Sequence, residues 1–175
     1  MRIDYDKPGS PEFYREAVNV LLQYKRLLKD PDRKLKDMFK QYRNQLILSI
    51  VLIAAIIVEL CLWGHDVLLE VLIVLIAIAA FLNFYFLKQA KGMIKTMGKP
   101  GHAYFIVDEE GIEISKEGEQ TIRMAWEKIS FVRAFDHAVC FLPKDVPGFV
   151  FSVESKDKQQ IFEYMKELGK GGMWR

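Results

Sequence analysis

Three polar side chains lie inside the two longest apolar stretches of the sequence. Glu59 lies near the end of the first stretch, Glu70 lies near the start of the second, and Asn83 lies near its end. Two carboxylates at similar depth in a membrane can share a proton or bind a cation, and an intramembrane Asn can hydrogen-bond to another helix. The alternative is that the carboxylates reach the nearby membrane surface and that Asn83 reaches headgroup water. The sequence therefore predicts Glu59, Glu70 and Asn83 as candidate intramembrane polar sites and leaves both interpretations open.

The other residue types that carry chemistry do not form a recognisable site. His65, His102 and His137 are not spaced with one another, or with Cys or carboxylates, as metal ligands usually are. Asp136 precedes His137, but neighbouring residues of a strand point to opposite faces, which argues against a catalytic pair. The glycine-rich stretch 169–172 does not follow a strand and open a helix, as a phosphate-binding loop would. We therefore predict a protein that is not an enzyme and has no metal and no cofactor.

Two apolar segments stand apart from an otherwise strongly charged chain. The 175 residues include 25 basic and 23 acidic side chains, but segments 46–63 and 67–87 contain only Glu59 and Glu70 as charged residues. A helix that crosses the roughly 30 Å bilayer core needs about 20 apolar residues. The three-residue connection between the segments makes them antiparallel neighbours. The sequence therefore predicts a transmembrane helical hairpin over residues 46–87.

Lys and Arg residues predict how this hairpin is oriented. Residues 1–45 contain 11 basic residues, and segment 88–101 contains four more and no acidic residue. The connection at residues 64–66 has no Lys or Arg. Cytoplasmic flanks of membrane helices carry an excess of these residues. We therefore expect a multi-pass protein of the inner (plasma) membrane, with its N- and C-termini in the cytoplasm.

The first 45 residues predict a cytoplasmic helical arm. Ser10 can cap a helix that Pro31 would end near Lys29, and a second helix is predicted from Asp32 through Arg43 into the membrane. The first helix has an apolar face with basic residues beside it. Such an arm can lie on anionic lipid, or it can pack on the protein's own cytoplasmic domain. Both interpretations remain open from the sequence.

After a helix extension and linker at 88–101, the pattern changes to short alternating segments typical of strands. Six strands are predicted, at residues 104–107, 112–114, 122–126, 131–135, 138–142 and 149–153. A helix is predicted over 156–168, followed by a frayed tail at 170–175. Phe105, Trp126 and Ile129 are candidate core residues. We expect an α+β membrane protein whose domain at 102–169 is a small curved antiparallel sheet or open barrel, capped by one helix.

Three short motifs in this domain carry a family resemblance. They are Phe105-Ile-Val-Asp-Glu-Glu-Gly-Ile112, Trp126-Glu-Lys-Ile129 and Leu142-Pro-Lys144. Together with the hairpin they resemble the YcxB-like family of bacterial membrane proteins, over about residues 46–169. The segment after Pro143 departs from the pattern, because that family more often has an aromatic residue close behind the proline. The resemblance implies two membrane helices and a C-terminal domain similar to bacterial pleckstrin-homology (PH-like) domains, and it implies no catalytic residues.

Charge also limits the partners that this domain can have. Residues 103–175 contain 10 basic and 13 acidic side chains, which argues against nucleic-acid binding. We expect a PH-like scaffold or ligand-binding domain that contacts membrane lipid and presents an exposed sheet edge to a protein or peptide partner. A second copy of the chain is another expected partner. The alternatives are a protective, immunity or regulatory factor against membrane-active peptides, and a subunit of a small oligomeric transporter or channel.

Overall fold

The computed structural model describes residues 1–5, 9–64, 66–97, 103–116 and 121–175. They form two compact units, one of residues 37–93 and one that joins residues 1–36 to residues 94–175. The elements run in the order β1 (Arg2–Tyr5), α1 (Pro11–Leu22), α2 (Tyr24–Lys29), α3 (Met38–Trp63), α4 (Val67–Met97), β2 (Ala103–Val107), β3 (Gly111–Lys116), β4 (Ile122–Ala125), β5 (Ile129–Ala134), β6 (Ala138–Pro143), β7 (Phe151–Glu154) and α5 (Lys158–Glu167). The chain is therefore α+β, as the sequence predicts.

Helices α3 and α4 are long and apolar enough to cross a membrane. At 1.5 Å per residue, their 26 and 31 residues extend about 39 and 47 Å. Asp37 caps the start of α3 by accepting a hydrogen bond from the Lys40 backbone N at 3.1 Å. The rings of Tyr42 and Phe86 stack at 5.8 Å. Most large apolar side chains of the two helices are exposed, so this surface is suited to an apolar environment.

The β domain contains two antiparallel sheets, with strand orders β1-β2-β3-β4 and β5-β6-β7. Strand β1 does not follow from the sequence pattern, and it pairs with β2 so that Ile3 lies opposite Phe105. Gly111 begins β3 where the chain passes close to β4. A Cβ atom there would lie 2.0 Å from the Met124 carbonyl oxygen, so only glycine fits.

The predicted helical arm is folded onto this domain. Phe13 and Tyr24, from α1 and α2, are buried in one apolar cluster with Cys140 and Leu142 of β6. Glu16 adds a polar connection, since its carboxylate accepts hydrogen bonds from the backbone nitrogens of residues 137 and 138 at 2.6 and 2.7 Å. Of the two interpretations that the sequence left open, the structure therefore has the arm packed on its own domain.

The prediction of a helix from Asp32 is wrong, because α3 begins only at Met38 and residues 30–37 are not helical. A side chain of β5 and one of the helical arm bind this segment by its backbone. The Arg133 guanidinium donates to the carbonyl oxygens of Pro31 and Arg33. The Gln23 amide donates to the Lys36 carbonyl at 2.7 Å and accepts from the Lys36 nitrogen at 3.1 Å. These bonds use backbone groups that a helix would pair within itself.

Residues 171–175 are folded as well, so the prediction of a frayed tail is wrong. Residues 171–173 form a turn of 3-10 helix, and the half-buried Met173 and Trp174 pack on the main core. The Trp174 ring lies 5.2 Å from the Phe162 ring of α5. A parallel bridge pairs Trp174 with Val132 of β5. The tail is thus an additional cover for one edge of the three-stranded sheet.

Candidate functional site

The three predicted intramembrane polar residues lie on the surface of the helical hairpin. Glu59 is exposed in the last turns of α3, and Glu70 is exposed in the first turn of α4. Asn83 donates a hydrogen bond from Nδ2 to the Ala79 carbonyl at 2.9 Å, within its own helix. His65, in the connection between the two helices, lies outside the described residues. A functional role for Glu59, Glu70 and Asn83 stays a prediction.

The three candidate core residues lie in the interior of the β domain. Phe105 and Ile129 are each 1% exposed and Trp126 is 5% exposed. The Phe105 ring packs 5.3 Å from the Phe141 ring, and the Trp126 ring lies 6.4 Å from the same phenylalanine. The Trp126 indole nitrogen donates to the Asp108 carbonyl at 2.9 Å. Trp126 lies in a short 3-10 helix and not in a strand, because β4 ends at Ala125.

A cleft of about 590 Å³ opens where the two sheets of this domain adjoin. It is bounded by the turn before β3, the 3-10 helix at 126–128, the start of β5, the end of β6 and the folded tail. The residues that line it are Glu109, Glu110, Trp126, Glu127, Ile129, Ser130, Lys144, Lys170 and Met173. Apolar side chains therefore meet charged side chains of both signs in one cleft.

Four of the charged side chains in this cleft remain available to a ligand. Glu109, Glu127 and Lys144 are exposed and Lys170 is half-buried, and within the described part of the chain none of them forms an ion pair. Glu110 differs, because its carboxylate lies 3.0 Å from the Arg123 guanidinium. An exposed charge without a partner can pair with a charge on a bound molecule at little cost.

Arg123 itself is occupied by carboxylates and is not free to bind a phosphate group. Its guanidinium lies 2.7 Å from Asp108, 3.0 Å from Glu110 and 3.8 Å from Glu113. Asp108 also accepts from the backbone nitrogens of residues 110 and 111, which shapes the turn beside the cleft. The ion pairs of Arg123 therefore fix the position of the acidic turn at residues 108–110 beside the cleft.

Ser130 lies at an irregularity of β5 beside the cleft. Ile129 pairs with Pro143 and Phe131 pairs with Leu142, so Ser130 is an extra residue without a partner on β6. Bulges of this kind redirect a side chain and increase local strand twist. Ser130 was missed in the sequence, although two adjacent apolar residues, Phe131 and Val132, interrupt the alternation there and give a signal of it.

The buried thiol of the domain has no catalytic environment. Cys140 is fully buried, and burial raises its pKa to about 12, although a contact with the Ser152 hydroxyl at 3.4 Å acts in the opposite direction. A thiol that stays protonated is a poor nucleophile. Among the residues that the structure describes, no group of three or more His, Cys, Asp or Glu could hold a metal ion.

The interpretation of this site rests on its geometry, because comparison with known proteins gives no match. No family model, no curated protein and no solved structure matches the chain.

Proposed function

We propose that this protein is a membrane-anchored binding protein without enzyme activity, in which the α3–α4 hairpin is the anchor and the β domain binds a protein partner at the cleft. The proposal includes the bacterial inner membrane as the location and a cytoplasmic β domain of the YcxB-like, PH-like type. The order of the strands along the chain is the observation that carries the anchor and its topology.

Strand β1 comes before the two apolar helices and its partner strand β2 comes after them. Asp4 lies opposite Tyr104 in this pairing, so the whole hairpin is inserted between two neighbouring strands of one sheet. Both ends of the hairpin are therefore joined by the chain to one folded domain. Two membrane crossings return the chain to the side where it started, whereas a single crossing would separate β1 from β2. This connectivity supports the same topology as the Lys and Arg distribution.

The sheet arrangement supports a PH-like fold for the β domain. Four strands form one antiparallel sheet, three strands form the other, and α5 follows the last strand. Ile161 and Met165 of α5 are fully buried in the core that the two sheets share. A two-sheet structure closed by one helix is the arrangement that the YcxB-like resemblance implies.

A protein segment fits the cleft better than a phosphate-bearing ligand does. The acidic side chains Glu109 and Glu127 would repel a phosphate, and Arg123 is already neutralised by carboxylates. The half-buried Met173 provides apolar surface between charges of both signs, beside the buried Trp126 and Ile129. A polypeptide supplies apolar groups, charges of both signs and backbone hydrogen bonds together.

The anchor and its orientation can be tested by labelling single cysteines. In a Cys61→Ala background, Asp66→Cys should react with a membrane-impermeant maleimide on intact cells, while Glu109→Cys should react only after lysis. Both proteins should remain in the membrane pellet after carbonate extraction. Extraction into the supernatant, or labelling of Glu109→Cys on intact cells, would contradict the proposed topology.

The binding site can be tested by photo-crosslinking from two positions. A photoreactive amino acid at Ser130 should give a defined crosslinked species in cells, whereas the same group at Gln159, exposed on α5, should not. Glu127→Lys should abolish that species and leave the amount of protein unchanged. Equal crosslinking from both positions, or a species that persists in Glu127→Lys, would show that the cleft is not the binding site.

A further inference from the structure

The outer edge of β5 is longer than the segment that covers it. One side of this six-residue strand pairs with β6. On the other side, the described residues pair at one position, where Trp174 bridges Val132 and the Arg175 nitrogen donates to the Val132 carbonyl at 2.8 Å. Groups along a strand edge that lack a partner form a template for another strand.

The direction of the Val132 carbonyl indicates which other groups face this edge. In an antiparallel pair, successive residues direct their backbone groups to opposite sides. Because Val132 binds the tail, Ala134, two residues further on, presents its backbone groups to the same outer side. In the other direction, Ser130 is the residue without a partner on β6, and it lines the cleft. The edge thus runs from the cleft past the tail.

The covering segment is held by packing of Met173 and Trp174 on the core and by a short 3-10 turn. The Trp174 ring contacts Phe162, and backbone hydrogen bonds of 3.0 and 3.1 Å within residues 170–174 close the 3-10 turn. The connection to α5 is rich in glycine. Gly169 has a positive φ of 69°, and a Cβ atom at Gly172 would have no neighbour within 4 Å. Such a connection allows the segment to leave the edge without disturbing α5.

We propose that residues 171–175 are an internal placeholder on β5, and that the partner binds by replacing them with an extended segment of its own that pairs with β5 from Ser130 to Ala134. This inference rests on the proposed binding function and specifies its mode. The placeholder shows what the edge accepts, namely an extended backbone parallel to β5 with an aromatic side chain against Phe162. A longer segment would also reach the cleft beside Ser130.

A matched pair of substitutions at position 175 tests how residues 171–175 are attached to the edge of β5. Arg175→Pro removes the backbone N–H that Val132 binds, and Arg175→Ala retains it. Trp174 has φ −77° and ψ 132°, values that the residue before a proline adopts. In the full chain in detergent, loss of this one hydrogen bond should loosen the segment, so that amide exchange in peptides covering residues 170–174 becomes faster by about tenfold for Arg175→Pro. Arg175→Ala should leave it unchanged, and β6 should be unaffected in both variants.

A synthetic peptide tests what the uncovered edge accepts. The probe is Gly-Lys-Gly-Gly-Met-Trp-Arg, the sequence of residues 169–175, added at millimolar concentration because a tethered segment has an effective concentration of about that size. In the Trp174→Ala protein, the peptide should restore slow exchange in β5 in a saturable way. The same peptide with Ala in place of Trp should not.

The outcomes separate this inference from the proposed function. Unchanged exchange in Arg175→Pro, or failure of the peptide to protect β5, would overturn the placeholder mechanism. The Ser130 crosslink would then still report whether the cleft binds a partner by another mode. If the mechanism holds, that crosslink should increase in Arg175→Pro and not in Arg175→Ala.

Discussion

Replacing Trp126 tests the packing on which the whole β domain depends. The side chain is 5% exposed, lies 6.4 Å from the Phe141 ring and donates one hydrogen bond to the Asp108 carbonyl. Loss of a buried tryptophan to alanine removes this packing and leaves a cavity, which lowers the free energy of unfolding by about 3–5 kcal/mol. Trp126→Phe keeps an aromatic ring and loses the hydrogen bond, so we expect a decrease of about 1–2 kcal/mol.

The thiol of Cys140 provides the assay. It is fully buried, and burial raises its pKa to about 12, so it should react with a thiol reagent only when the domain opens. In a Cys61→Ala background, the rate at which the full chain in detergent is labelled reports the opening equilibrium. Each 1.36 kcal/mol is a factor of ten, so Trp126→Ala should accelerate labelling by roughly 10²–10⁴-fold. Labelling should also accelerate with denaturant if the reaction requires global opening.

The control is Val146→Ala, an exposed position in the loop between β6 and β7, which should change the free energy of unfolding by about 0.5 kcal/mol or less. An acceleration below about fivefold for Trp126→Ala, equivalent to about 1 kcal/mol, would refute the core assignment. Trp126 would then be available as a contact surface of the cleft rather than as part of its rigid floor.

Other contacts give predictions that the same protein can test. Glu16→Gln should weaken the docking of α1 by about 1–3 kcal/mol in the thiol assay, because a charged acceptor of two backbone hydrogen bonds becomes neutral. The pKa of Glu154 is lowered from 4.5, since hydrogen bonds from the Ser10 nitrogen and Lys156 outweigh the opposing effect of burial. Its contribution is present above pH 4.5 and is lost as the pH falls through the lowered value, so Glu154→Gln should reduce the acid sensitivity of unfolding. Gln23→Ala should speed tryptic cleavage in the basic segment 33–36 that the Gln23 amide binds. Cleavage at the same rate in Gln23→Ala and the unmodified protein would contradict a stabilising role for these hydrogen bonds. Glu59→Gln combined with Glu70→Gln should leave insertion and the melting temperature unchanged, because both side chains are exposed near helix ends; a marked loss would show that the pair is structural.

Much of the secondary structure could be predicted from local pattern. The apolar segments 46–63 and 67–87 lie within α3 and α4, and each of the six predicted strands overlaps one of the strands β2 to β7. The end of the N-terminal helical region at Lys29, before Pro31, also agrees with the sequence. These features depend on apolar periodicity and on proline, which act over a few residues.

The cleft could not be predicted, because it depends on contacts between distant parts of the chain. Its walls come from the turn at 109–110, the 3-10 helix at 126–128 and the tail at 170–173, which lie apart in the sequence. No residue of this set carries a pattern of its own. Only the bulge at Ser130 has a signal in the sequence, namely the adjacent apolar residues Phe131 and Val132 that follow it.

The sequence by itself determined the apolar hairpin, the antiparallel strands and the closing helix, because hydrophobic length and period specify each element locally. Only the tertiary structure decided that β1 pairs with β2 across the hairpin, that residues 30–37 are not helical, and that the tail covers β5. In each case a backbone segment with weak local preference takes its conformation from hydrogen-bond partners far away in the chain. The functional interpretation depends on these long-range pairings, since they join the anchor to one domain and, among the described residues, leave part of the edge of β5 without a partner.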